Sequence, residues 1–131
     1  MATQGITNNG KAHWVDVFDP ATRGAQTTTY YGAWGGTATA FALTDTALGS
    51  EHPESRVATT ITQQTTSSTG DTVRHVFEIT ATGNRTVNEM GVLTASSSGT
   101  LVYRGTHSTL NIETGDRTEY TVNDRVADSS E

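Results

Sequence analysis

Four histidines, His13, His52, His75 and His107, are the first residues that could bind a metal or move a proton. None is spaced as H-x-H or H-x-x-x-H, and each falls in a different run of the chain, so the sequence spells no metal-ligand pair. His75 shares an alternating face with Val73 and Phe77, where a packed histidine with one hydrogen bond is the expected role. The carboxylate pairs Asp16/Asp19 and Glu51/Glu54 have the residue types for acid–base work, but that chemistry needs a cleft and separated pKa values. Glu51 and Glu54 flank Pro53 and read as a solvated loop. Gly70-Asp71 and Gly115-Asp116 have the start of a calcium loop without the alternating oxygen ligands that follow. Asn84-Arg85-Thr86 fits the glycosylation sequon and is read as a turn, and Gly32 to Gly36 is a bend rather than a phosphate cradle. With no cysteine in the chain, thiol catalysis, zinc–thiolate sites and disulfides are excluded. The expectation is a non-enzymatic protein without catalytic residues, metal or cofactor.

One charged residue stands out for structure instead. Glu89 lies in an otherwise apolar run and is expected to pair in the sheet with an arginine, Arg56 or Arg104, as a structural lock. The other arginines are too dispersed to form a basic stripe, and the formal charge is −6, so nucleic acid is not an expected partner. No apolar run approaches a membrane span, and the N-terminus lacks the charged and apolar regions of a secretory signal.

The elements that would carry these residues are β-strands. Thr is the commonest residue and Lys occurs once, at Lys11. Thr in quantity favours pleated, half-buried surfaces and disfavours helix. Strand runs are expected at His13–Phe18, Thr27–Trp34, Arg56–Thr66, Thr72–Thr80, Thr86–Ala95, Thr100–Gly105 and Arg117–Val126, with Thr37–Leu43 as a further strand or an extended loop. Thr72–Thr80 is the clearest, with Val73, His75, Phe77 and Ile79 on one face, and it pairs with the preceding run as a hairpin. A bulge is expected at Glu89-Met90-Gly91 and a bend over Thr106–Leu110. The one short helical turn is expected near 45–49, capped by Thr44 or Asp45. The fold class is all-β: a single antiparallel β-sandwich or barrel-like domain of about seven or eight strands. It would span 12–126, between a polar N-terminal arm at 1–11 and an acidic tail at 127–131. Ile6, Asn8, Asn9 and Lys11 on the arm are the expected docking residues. At 33% hydrophobic residues the core is lean, which favours a protein supported by neighbours.

Four segments resemble, in order, a pattern in small virion structural proteins of tailed bacteriophages. They are GITNNGKAHWVDVF (Gly5–Phe18), TDTALGSE (Thr44–Glu51) followed by Arg56, ATGNRTVNEMGVL (Ala81–Leu93), and GTLVYRGTHSTLNIETGDRTEYTV (Gly99–Val122). His107, where an aromatic is usual, and Met90 depart from the pattern. The resemblance implies a capsid decoration protein located in the virion. It would bind the major capsid protein or other virion proteins, as a homo-oligomer with a trimer favoured. A tail or fibre-base component is the alternative. A further alternative is a carbohydrate-binding module using Trp14, Trp34, Tyr30 and Tyr31.

Overall fold

The computed structural model describes residues 4–125. Eight strands form two antiparallel sheets, as the all-β reading expects, with one α-helix and one turn of 3₁₀-helix at Arg23–Ala25. The strands are β1 (Gln4–Ile6), β2 (Tyr31–Gly35), β3 (Val57–Ala58), β4 (Thr60–Gln64), β5 (Thr72–Thr80), β6 (Arg85–Leu93), β7 (Leu101–Ile112) and β8 (Arg117–Arg125); the helix, α1, is Asn8–Phe18. One sheet has the order β1-β7-β6-β2-β3 and the other β4-β5-β8. Trp34, Val87, Val92 and Val102 from the larger sheet meet Phe77, Ile79 and Val122 from the smaller one in the main core. A second, smaller core of Ala33, Leu48, Leu93 and Leu101 includes the 36–56 loop through Leu48.

The N-terminal region differs most from the sequence expectation. Within the segment 1–11 expected as an arm, residues 4–11 are built into the domain: Gln4–Ile6 pairs with Gly105–Tyr103 of β7, and Thr7 is fully buried. Its residues 1–3, like Val126 and the acidic tail 127–131, lie outside the described residues. His13–Phe18 is helix, not strand. The alternation in WVDVF concealed a helical stripe, for Gly10 and His13 are buried and Trp14 and Val17 half-buried, the i, i+3, i+4, i+7 spacing of one helix face. Thr7 caps the helix by accepting from the Gly10 N–H at 2.9 Å, while its hydroxyl donates to the Leu101 carbonyl at 2.6 Å. Gly10 is required because a Cβ there would run into the Val102 backbone. Asp19-Pro20 ends the helix, so the breaker was placed correctly and the element before it was not.

The helical turn expected at 45–49 is absent; those residues are irregular, with bends at Ala47 and Gly49. The Asp45 carboxylate accepts from the Ala42 N–H at 2.9 Å and from Arg104 at 3.0 Å, bonds that fold the segment back on itself and hold it to the sheet. Arg56–Thr66 is split between the sheets as β3 and β4. The bend expected at Thr106–Leu110 does not interrupt the strand, for β7 continues through it, but the register against β6 slips by two residues between Thr106 and Leu110. The β4–β5 hairpin stands, as does the inward face of β5, where His75, Phe77 and Ile79 are buried. Register shifts fall between Val87 and Glu89 and between Val92 and Leu93, flanking the expected bulge. Both glycines of the Gly-Asp turns have positive φ, 70° at Gly70 and 94° at Gly115, with Asp71 accepting from the N–H groups of Thr66, Ser67 and Ser68.

Candidate docking groove

Glu89 and Arg104 form the lock that the sequence anticipates. Glu89 is 0% exposed and Arg104 2%. The Arg104 Nε donates to Glu89 at 2.9 Å, and the rest of each side chain fastens the loop that covers this face of the sheet. Glu89 accepts from the N–H groups of Gly49 and Ser50 at 3.0 and 2.8 Å; Arg104 reaches Asp45 and the Thr39 carbonyl at 3.0 and 2.8 Å. Gly91 leaves the space that Leu48 occupies, because a Cβ there would touch both Leu48 and Leu101.

Arg56 does not join this pair. Its guanidinium takes Glu51 through two bonds of 2.9 Å and holds the carbonyls of Ala95 and Ser98, pinning the β6–β7 turn. Of the two carboxylates expected in a solvated loop, Glu51 is exposed, though paired with Arg56, and Glu54 is not. Glu54 is buried and accepts from the Trp34 indole at 3.0 Å, the Thr82 N–H at 3.0 Å and Arg85 Nε at 2.8 Å. Burial pushes its carboxyl up, but the hydrogen bonds from Thr82 and Trp34 outweigh that and hold it at about 2. The Asp45, Leu48, Glu51, Arg56, Glu89, Gly91 and Arg104 positions of the resembling segments all serve to fasten loops to the larger sheet.

The surface with unspent capacity lies on the other side, where α1, β1, β5 and β8 come together. A groove of about 320 Å³ is lined by Ile6, Trp14, Phe18 and Val73, with Lys11 and Arg125 at its rim and Asp124 in its wall. Phe18 is 73% exposed and Val15, one helical turn before it, 66%. Of the expected docking residues, Ile6 and Lys11 line this groove. Asn8 and Asn9 are exposed on the first turn of α1 and do not line it.

Asp124 is the residue that sequence reasoning missed. It is 5% exposed, and neither carboxylate oxygen has a hydrogen-bond partner. His75 Nε2, likewise unpartnered among the described residues, lies 4.0 Å from Oδ2, while His75 Nδ1 lies 3.2 Å from the Thr59 hydroxyl. Burial raises the Asp124 carboxyl to about 7 and lowers the His75 imidazole. Burial and the Asp124 charge together raise Tyr103. Tyr30 links this cluster to the helix, with its hydroxyl 2.7 Å from His13 Nε2, Trp14 stacked against its ring and its edge against His75. The signal for Asp124 was available: Tyr120, Val122 and Asp124 share one strand face, so an inward Val122 implies an inward carboxylate.

His52 bonds the Thr86 carbonyl at 2.9 Å and His107 the Tyr120 hydroxyl at 2.9 Å. Trp34 and Tyr30 are buried and Trp14 and Tyr31 half-buried, so the four aromatics form no exposed stacking platform. Among the described residues no cluster of three or more His, Asp or Glu could hold a metal ion, and no helix is long and apolar enough to cross a membrane.

Comparisons with protein-family models, with curated proteins and with solved structures each returned no match.

Proposed function

We propose that this protein is a non-enzymatic structural component of a bacteriophage virion, a capsid decoration protein that docks on the major capsid protein and reinforces it. The observation that carries the docking role is the apolar surface of α1. Val15 and Phe18 are exposed side by side on a helix whose next neighbours, Trp14 and Ile6, wall an open groove. A contiguous apolar patch on an otherwise polar domain is the usual mark of an interaction site. The four-segment resemblance supplies the virion context. The two edges of the smaller sheet, β4 and β8, offer backbone for pairing between copies, which supports a homo-oligomer, with a trimer favoured.

Cryo-electron microscopy of purified particles tests the location. Density for this fold on the outside of the head, in hundreds of copies, is the expected result. A small multiple of three or six copies on the tail would instead make it a tail or fibre-base component, and absence from the particle would end the virion reading. Replacing Val15 and Phe18 by Ser tests the surface: the isolated domain keeps its amide spectrum and its occupancy on particles falls. Undiminished occupancy would remove α1 from the interface.

A further inference from the structure

The groove beside α1 has a feature that an apolar docking surface does not need. Asp124 is 5% exposed in its wall, and both carboxylate oxygens lack a partner. A buried polar group left without a hydrogen bond costs about 1–3 kcal/mol, and more when charged, unless something supplies donors. Among the described residues none is supplied. His75 Nε2 stands 4.0 Å away, beyond bonding distance. At the rim, Arg125 is held by Asp71 at 3.2 Å and by the Ser67 hydroxyl, and Lys11 is exposed.

We propose that the groove is a binding site for one arginine side chain of the partner protein, with the guanidinium reaching Asp124 and the aliphatic stem lying between Trp14, Phe18 and Val73. Two free oxygens on one carboxylate match the paired N–H donors of a guanidinium, which an ammonium cannot engage in parallel. The guanidinium is also weakly hydrated and stacks on aromatic faces, so it suits an apolar slot walled by Trp14 and Phe18. The carboxylate oxygens are buried, so binding requires the groove to open locally at Asp124. Charge selects a foreign chain over a second copy. This chain carries a formal −6, so copies repel one another and attract a basic partner.

The partner's identity rests on the docking reading, whereas the groove's preference for a guanidinium is testable on the isolated protein. The probe is N-acetyl-arginine methylamide, titrated into ¹⁵N-labelled protein while the Trp14 indole N–H and the Val73 amide are followed. The expected result is saturable binding, weaker by about ten-fold for the norleucine analogue and, with the arginine probe, for Asp124→Asn. Should Asp124→Asn perturb the fold, the wild type still decides the matter. The arginine probe, unlike norleucine, should lower the pH at which the Asp124 carboxyl ¹³C signal titrates. Equal binding by arginine and norleucine, an unmoved carboxyl titration, or no saturable shift overturns the proposal. A lysine analogue binding as tightly as arginine overturns the choice of guanidinium. Resonances that move with protein concentration alone would put a second copy in the groove and overturn the foreign partner. Particles that carry the protein while its groove ignores arginine would sink this inference and leave the virion reading standing.

Discussion

Two buried carboxylates, Glu89 and Asp124, occupy opposite situations. Glu89 accepts from two backbone N–H groups and Arg104, so its charge is fully met. Removing one partner strands the other, and Glu89→Ala or Arg104→Ala should each destabilise by about 3–5 kcal/mol in urea unfolding. The double replacement should cost less than the sum, since no lone buried charge remains. Asp124 has nothing to meet its charge, and the pH dependence takes the other sign. Its folded pKa of about 7 lies above the ordinary 3.8, so its contribution is fully present below about pH 4 and is lost as pH rises through 7. Asp124→Asn stays neutral throughout. The variant should therefore gain stability over the wild type between pH 4 and 7, by on the order of 2–4 kcal/mol in paired denaturation curves. His75, lowered by burial, acts in the opposite direction, but both proteins contain it. A flat difference curve would show that Asp124 is ionised and solvated in the folded state.

At the level of elements, α1 and β1 are integral to the domain, and a deletion shows it. Removing residues 1–11 takes away β1, the Thr7 cap and the first turn of α1, and opens the face of β7 that they cover. The expected outcome is loss of cooperative unfolding and of dispersed amide resonances; a folded truncated domain would contradict this packing. Gly10→Ala is a milder probe. Ala favours helix by about 1 kcal/mol over Gly, but here its methyl meets the Val102 backbone and should lower stability by about 1–3 kcal/mol. Strand content was legible because alternation survives wherever one face is buried, as in β5 and in Tyr120 to Asp124 of β8. The helix was not, because WVDVF satisfies a two-residue period locally. Only the wider stripe through Gly10, and the contact with β7 some ninety residues later, favours helix. The turn at 45–49 failed for a related reason: its capping carboxylate was bound to Arg104, a partner that short-range propensity does not see. The lock was half legible. Glu89 in an apolar run demanded a cation, but nothing local distinguished Arg104 on the adjoining strand from Arg56 on a distant loop.

Across the whole molecule, four of the seven arginines fasten the chain to itself. Arg56, Arg85, Arg104 and Arg125 each bind a carboxylate of the same chain at 2.8–3.2 Å. Much of the positive charge is thereby spent on internal fastening, and attraction to a basic partner should weaken steeply with salt. Particle occupancy measured from low to high ionic strength checks this; salt-independent occupancy would mean that the apolar contact of Val15 and Phe18 dominates.

The groove also depends on how the chain is made. Its walls are β1 and α1, the first described elements, and β8, the last, and the Thr7 hydroxyl closes on a carbonyl 94 residues further on. During synthesis the N-terminal elements have no β7 to pair with until most of the chain has emerged, and the carboxylate wall arrives later still. Pairings this distant make folding slow and postpone it until translation is nearly complete. A prematurely terminated product would have neither slot nor Asp124, and so could not compete with finished copies for a place in the assembly.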